Sequence, residues 1–327
     1  MKKFKSRLSK IFFVGIGGSG MSGIAEVLIN LDYEVSGSDI SDSPIIDRLK
    51  LMGAQIHIGH KASNLNKAQM IVVSSAIDSK NPELIEAQLR GIPILARAEM
   101  LSSLMNMKRG IAIAGTHGKT TTTSLVASIF TEANLDPTFI NGGIINSFAS
   151  NAKLGKGEYL VAEADESDQS FLMLQPSLAI ITNIEEDHLI NYGNDFENLR
   201  QAFLAFVKKL PFDGLLISCG DDLEISKLAP HFSRPNITYG FKETNDYVIS
   251  NYSPVGYQST FLLNYADQSI PIELNMLGRH NALNACAASV LAIEEGIDVS
   301  IIQSALKHFM GINRRMQILG NIEIKGS

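Results

Sequence analysis

Tryptophan is missing from this chain and cysteine nearly so: Cys219 and Cys286 are the only two among 327 residues. They form no Cys-x-x-Cys pair, which removes both a disulfide framework and a thiolate metal site. A reducing compartment is the simplest setting. Long apolar runs are also missing, and no stretch approaches the ~20 apolar residues of a membrane helix. Lys2, Lys3, Lys5, Arg7 and Lys10 precede "IFFVGIGG" in the manner of a signal peptide. Glycines interrupt that run almost at once and no small-residue cleavage site follows, so a solvated basic tip before a first strand is expected. An excess of positive charge is lacking too. The net charge of −6 argues against a nucleic-acid partner, which usually shows as a basic stripe. These absences predict a soluble, cytoplasmic protein with no membrane span, and leave room for local anion sites.

What is present is a globular composition, 45% hydrophobic and 19% charged, over a length that suggests two domains. From 11 to 107, short apolar runs alternate with helical patterns. "IFFVG", "YEVSGSD", "MIVVSSA" and "IPILA" read as strands, with a helix over 20–31. Such alternation predicts a parallel, doubly wound sheet, a Rossmann-like domain over residues 1–107. A second unit, 108–311, opens on the strand "GIAIAG" and a helix over 119–133. "EYLVAEAD" and "LAIITNI" read as further strands, and 195–210 carries apolar positions at helical spacing. Between 237 and 277 the pattern changes to alternation with turn residues, which predicts a small antiparallel sheet. Helices over 280–295 and 298–309 follow. The fold class is therefore α/β: the Rossmann-like domain, then a central α/β domain of the P-loop ATPase type. Residues 312–327 are too few for a domain and read as a linker.

Each unit carries a glycine loop between a strand and a helix. In "GIGGSG", Gly15, Gly17 and Gly20 have the GxGxxG spacing, and Asp39 ends the second strand nineteen residues beyond Gly20. That satisfies the dinucleotide fingerprint. Its physical content is broader, because any nucleotide diphosphate can use backbone N–H groups at a helix N-terminus, and any ribose can donate to Asp39. In "GTHGKTT", Gly115 and Gly118 allow a tight turn around a phosphate. Lys119 supplies a point charge, and Thr120 offers a hydroxyl to Mg²⁺. This loop is shorter than the usual triphosphate signature, whose first glycine would fall at Ile113.

Two stretches at predicted strand ends add charge, where ligands of open α/β sheets collect. "EADESD" supplies Glu163, Asp165, Glu166 and Asp168, which repel one another unless a cation or solvent intervenes. "TNIEEDH" supplies Asn183, Glu185, Glu186, Asp187 and His188, the last either a metal contact or a structural histidine. Further on, "GRHNALNA" presents Arg279, His280, Asn281 and Asn284. The two asparagines share a helix face and suit either a base edge or helix capping.

With these residues in view, the sequence resembles the Mur ligase family, and within it the alanine-adding branch. From Ile11 to Gln317, "VGIGGSGMSGIAEVL", "GSD", "VVSSAI", "NPE", "RAEML", "AIAGTHGKTTTTS", "NGG", "EADESD", "CGDD" and "GRHNALNA" fall in family order. The short G-T-H-G-K-T loop is the form that this superfamily uses. The resemblance implies an ATP-dependent ligase of peptidoglycan synthesis, with a part in cell shape and division. The lactyl carboxylate of UDP-N-acetylmuramate is phosphorylated, and the amine of L-alanine attacks the acyl phosphate. ATP and Mg²⁺ are the implied cofactors. The resemblance also assigns roles by position. Lys119, Glu163 and His188 form the catalytic set, and Thr120, Glu163 and His188 contact metal. Gly115, Thr116, His117, Gly118, Lys119, Thr120 and Thr121 take the phosphates. His280, Asn281 and Asn284 lie on the adenine side, and Arg315 of "NRRMQ" meets a phosphate. Gly17, Gly18, Ser19, Gly20, Met21, Asp39, Ser74 and Ser75 serve the UDP end.

Four positions depart from relatives or sort among them. Ile190 and Asn191 stand where relatives often carry an acidic residue. Phe203, fifteen residues past His188, stands where later-acting sister ligases carry a modified lysine, which favours the alanine-adding branch. Ser167 stands where the murein tripeptide recycling ligase, the nearest rival, usually has tyrosine. Family members continue into a third domain that holds the amino-acid site, and the sequence stops just before it. The expectation is a shortened form that does not form the amide at a useful rate alone, or a nucleotide-binding fragment without turnover. An NAD-dependent oxidoreductase would rest on GxGxxG and Asp39 alone and would leave the second loop unexplained.

Overall fold

The computed structural model describes residues 8–312. Strands β1 (Lys10–Val14), β2 (Glu34–Asp39), β3 (Gln55–Ile58), β4 (Met70–Val73) and β5 (Ile94–Ala96) form a five-stranded sheet in the order β3-β2-β1-β4-β5. All its pairs are parallel. Helices α1 (Ser19–Asn30), α2 (Pro44–Leu51), α3 (Pro82–Leu89) and α4 (Arg97–Met105) connect and cover it. Phe12 and Phe13 of β1 are wholly buried in two different apolar clusters, one on each face. A strand covered on both sides reads as an unbroken apolar run, which made "IFFV" easy to place. Edge strand β3, "QIHI", is largely exposed and carries no such run. Strand order reverses between β1 and β4, and the first glycine loop lies at that switch point.

The second sheet has ten strands: β6 (Arg109–Ala114), β7 (Thr138–Ile145), β8 (Ser150–Lys153), β9 (Tyr159–Glu163), β10 (Leu178–Ile181), β11 (Leu215–Cys219), β12 (Asn236–Gly240), β13 (Tyr247–Val255), β14 (Gln258–Tyr265) and β15 (Gln268–Leu274). Their order is β15-β14-β13-β12-β11-β10-β6-β9-β7-β8. The antiparallel strands β13, β14 and β15 do not stand apart, because β13 pairs in parallel with β12 and continues the sheet. Helices α5 (Lys119–Glu132), α6 (Phe196–Val207), α7 (Leu223–Leu228), α8 (Arg279–Glu294) and α9 (Val299–Lys307) complete this part. Strands β10, β6 and β9 are parallel neighbours. Consequently the loops that follow them, carrying "GTHGK", "EADESD" and "TNIEEDH", emerge side by side.

The two sheets meet through α1 and the β7–β8 hairpin. A Cβ on Gly23 would lie 3.1 Å from Ile140 and 3.2 Å from Ala152, so the helix rests closely on the hairpin. Polar links flank this contact. Arg48 joins Glu26 to Ser150, and Ser75 Oγ donates to Asp168 Oδ2 at 3.0 Å. Phe203 is wholly buried, with its ring 5.3 Å from that of Phe171. In this chain the position holds core.

The "CGDD" motif also has a structural use. Asp222 caps α7 by accepting the Ile225 N–H at 2.8 Å, and its other oxygen lies 3.4 Å from the Ile184 nitrogen. Burial raises its pKa, against these backbone donors. Asp222→Ala should therefore lower stability by about 1 kcal/mol, the usual cost of a lost cap. Urea unfolding checks this, with Asp222→Asn expected close to wild type because its amide oxygen still accepts the cap bond.

Candidate functional site

The second glycine loop is shaped by its neighbours as much as by its own residues. Gly115 (φ +126°) and Gly118 (φ +87°) take left-handed backbone conformations, and a Cβ on Gly115 would lie 2.2 Å from Thr182 Oγ1. From the end of β10, Asn183 grips His117 twice: Oδ1 accepts its N–H at 2.8 Å and Nδ2 donates to its carbonyl at 2.9 Å. Thr182 Oγ1 donates to the same carbonyl at 2.6 Å. Thr116 Oγ1 in turn accepts the Glu185 N–H at 2.9 Å. The clamp leaves the start of α5 free of any side-chain cap and of any acidic residue in its first turn. First-turn N–H groups have no intrahelical partner and sit at the positive end of the helix, which favours an anion.

Lys119 does not wait in solvent. Its Nζ donates to the carbonyls of Gly115 (2.7 Å) and Thr116 (3.3 Å) and pairs with Glu166 Oε2 at 2.7 Å. The Glu166 side chain is 3% exposed. Burial raises its pKa, and the Lys119 charge and hydrogen bond offset only part of that rise. This pair directs the ammonium across the loop toward β9.

Together these elements enclose a cleft of about 590 Å³. Thr116 through Thr121 line one side, with Glu163, Asp165, Glu166 and His188 opposite, and His280, Asn281 and Asn284 of α8 complete it. Every residue predicted for the nucleotide end therefore meets here, with two exceptions. Gly115 contributes only a carbonyl to Lys119, and Arg315 lies outside the described residues. The asparagines do not cap α8, whose N-cap is Gly278. Asn281 Nδ2 reaches back to the Leu277 carbonyl at 2.7 Å, and Asn284 Oδ1 accepts from Thr122 of α5 at 3.3 Å. Asn284 joins the two helices at the rim of the cleft.

Glu163 and Thr120 flank the Gly142–Gly143 stretch of β7. Glu163 Oε1 accepts the Gly142 N–H at 2.7 Å, and a Cβ on Gly143 would lie 3.1 Å from Thr120 Cγ2. His188, in a left-handed conformation, has its side chain 59% exposed, with Nε2 3.4 Å from Asp187 Oδ2. Among the described residues, no three His, Cys, Asp or Glu side chains gather as a metal cluster. A hydroxyl and a lone carboxylate beside a phosphate loop fit Mg²⁺, which keeps several waters and binds largely through phosphates. They do not fit a softer ion that needs a full protein cage.

Gly15 and Ile16 of the first glycine loop donate N–H groups to the Ser38 carbonyl, at 2.9 and 3.0 Å. Asp39, expected to face a ribose, holds the loop itself: Oδ2 accepts the Gly17 N–H and Oδ1 the Ile40 N–H, both at 2.8 Å. Gly18, Ser19 and Gly20 bring the chain into α1, which has no acidic residue in its first turn. The Met21 side chain is core, so only its backbone belongs to the loop. Ser74 Cβ lies 3.7 Å from the place of a Gly15 Cβ. The adjoining Ser75 donates to Asp168 of "EADESD". Burial pushes the Asp168 pKa up, but hydrogen bonds from Ser170 and Ser75 and the charge of Arg97 outweigh it, and the net shift is down.

Residues 10–109 match the Mur ligase family, catalytic domain, and residues 113–292 match the Mur ligase middle domain. The chain belongs to the Mur ligase family. A curated Mur ligase, the UDP-N-acetylmuramate--L-alanine ligase of Ruthia magnifica subsp. Calyptogena magnifica, is 53% identical over 326 residues, which span 99% of this chain and 70% of that protein. The Thermotoga maritima UDP-N-acetylmuramate-alanine ligase superposes with a TM-score of 0.86 at 31% identity, over 96% of this chain and 71% of its own. A Neisseria meningitides UDP-N-acetylmuramate:L-alanyl-gamma-D-glutamyl-meso-diaminopimelate ligase superposes with a TM-score of 0.85 at 26% identity, over 94% of this chain and all of its own. No helix among the described residues of this Mur ligase is long and apolar enough to cross a membrane.

Sequence reasoning left Asn183, Thr182 and Glu166 without these roles. All three stood in quoted motifs, and a signal existed: polar residues at the ends of strands that flank a phosphate loop are placed to hold it.

Proposed function

We propose that this Mur ligase uses ATP and Mg²⁺ to join L-alanine to the lactyl carboxylate of UDP-N-acetylmuramate, in peptidoglycan precursor synthesis and hence in the cytoplasm. One observation carries the reading. Lys119, held 2.7 Å from buried Glu166, lies in a single cleft with the open N-terminus of α5 and the β9 carboxylates, and Ser75–Asp168 joins the loop after β4 to "EADESD". The choice of L-alanine is supported by 53% identity to a curated alanine ligase over 99% of this chain; among solved structures the alanine ligase is 31% identical and the Neisseria tripeptide ligase 26%.

The residues divide the work as follows. The first-turn N–H groups of α5 and the Lys119 ammonium hold the phosphates and steady the charge on the transferring group. Glu166 aims Lys119. Thr120 and Glu163 hold Mg²⁺ with His188 nearby, and the bound ion supplies the charge neutralisation that lets a carboxylate approach the γ-phosphate. His280, Asn281 and Asn284 border the base. The Gly15–Gly20 loop and Ser74–Ser75 take the UDP end. Each Asp39 oxygen that accepts a backbone N–H keeps a second lone pair for a ribose hydroxyl.

Calorimetry tests the N-terminal assignment. UDP-N-acetylmuramate should bind and NADH should not, and Asp39→Ala should weaken the UDP-sugar about tenfold by removing a charge-assisted hydrogen bond. Tight NADH binding without a UDP-sugar signal would sink the proposal.

A further inference from the structure

The "NPE" stretch has no part in the cleft, yet it supplies a buried carboxylate. Asn81 caps α3 by accepting the Glu83 N–H at 2.8 Å, and Pro82 takes the first helical position, where no N–H is needed. Glu83 therefore sits in the first turn, at the positive end of the helix, and is wholly buried. Four donors surround it. Ser38 Oγ (2.6 Å) and His60 Nδ1 (3.0 Å) meet Oε2. Asn64 Nδ2 (2.7 Å) and the Lys61 N–H (3.3 Å) meet Oε1. Ser38 Oγ also lies 2.9 Å from His60 Nδ1. Because the single Ser38 proton goes to the carboxylate, the network assigns a proton to Nδ1, which donates to both oxygens.

Ser38 connects this cluster to ligand binding. Its carbonyl holds Gly15 and Ile16, and the following residue, Asp39, holds Gly17. The end of β2 thus sets where the first glycine loop lies, and Glu83 pins the end of β2 from behind. We propose that Glu83, with His60 and Asn64, is a positioning residue for the UDP-sugar subsite, acting through Ser38 on Gly15–Gly17. The inference rests on the assignment of that loop to the UDP-sugar. A cluster that merely held the fold together would weaken both substrates alike when cut.

The test is steady-state kinetics on the full-length protein, with thermal unfolding of each variant alongside. Glu83→Ala should raise KM for UDP-N-acetylmuramate about tenfold, the scale of one lost hydrogen bond to a charged group, with kcat and KM for ATP within about twofold. Glu83→Gln keeps the volume and one acceptor oxygen and should recover part of the loss. Ser38→Ala removes one hydroxyl, should leave the unfolding midpoint near wild type, and should move KM for the UDP-sugar the same way by less. Should Glu83→Ala fail to fold, the other two variants decide the matter. KM values for both substrates rising together, or a folded Ser38→Ala with unchanged UDP-sugar KM, would overturn the inference alone. Wild-type protein that bound no UDP-N-acetylmuramate would overturn the functional reading and this inference with it.

Discussion

Lys119→Ala, in protein carrying the family's third domain, should lower kcat by about 10²-fold or more, the typical cost of removing one preorganised charge-stabilising group from a transition state. The same substitution should also change how stability depends on pH. Glu166 is almost entirely buried and its carboxylate is matched by the Lys119 ammonium at 2.7 Å. Without that partner, both Lys119 contributions that hold its pKa down are lost, and desolvation and the Asp165 charge outweigh the one backbone hydrogen bond that remains. The folded-state pKa then climbs further above the unfolded value of about 4.3. A carboxyl group with a raised folded pKa binds more protons in the folded state, so stability falls as pH rises from the unfolded pKa through the folded one. Above that window the loss should be about 3 kcal/mol, as for other broken buried pairs. Urea unfolding across the acidic to neutral range reads this directly. Lys119→Ala/Glu166→Gln should regain most of the stability and none of the rate. A double variant as unstable as the single one would show that Glu166 is not the group left stranded.

How far the site was legible follows from the kind of signal each part sends. The P-loop residues announced themselves because a Gly-Lys-Thr between strand and helix has few other uses, and Thr116 through Thr121 line one cleft. Buried strands such as β1, β6 and β10 were legible as unbroken apolar runs. The β7–β8 hairpin was not, although its "NGG" was quoted. Two glycines and a register shift between Ile140 and Ile145 break the pattern of a strand. The clamp by Asn183 depends on β10 lying beside β6, a long-range fact that periodicity does not carry. Asp39 was placed correctly at the end of β2, but the sequence could not say that its carboxylate would hold Gly17. For the Asn281 and Asn284 pair, two readings stood open. The helix α8 begins too early for either residue to cap it, which removes one.

Glu163→Ala should shift the Mg²⁺ dependence of activity to concentrations about tenfold higher or more, as expected when one of few protein ligands to a weakly held ion is lost. The four carboxylates of "EADESD" are not equivalent candidates. Glu166 is engaged with Lys119, and Asp168 accepts from Ser75 and Ser170. Asp165 accepts the Ser167 N–H at 3.1 Å. Glu163 shares the Gly142–Gly143 stretch of β7 with the Thr120 side chain, so it is the carboxylate that adjoins the threonine of the loop. Removing it also strips Gly142 of an acceptor, and a displaced stretch could imitate a lost ligand. Glu163→Gln separates the two causes. Its amide oxygen can still accept from Gly142, but it lacks the charge that draws Mg²⁺. Equal shifts in the Mg²⁺ titration for Ala and Gln therefore point to the ligand, and a shift for Ala alone points to the displaced stretch. If neither variant moves the titration, the ion is held by Asp165 or Glu166. If Glu166 holds it through Oε2, the Lys119–Glu166 pair must open when nucleotide binds, because an oxygen committed to an ammonium at 2.7 Å cannot also serve a cation.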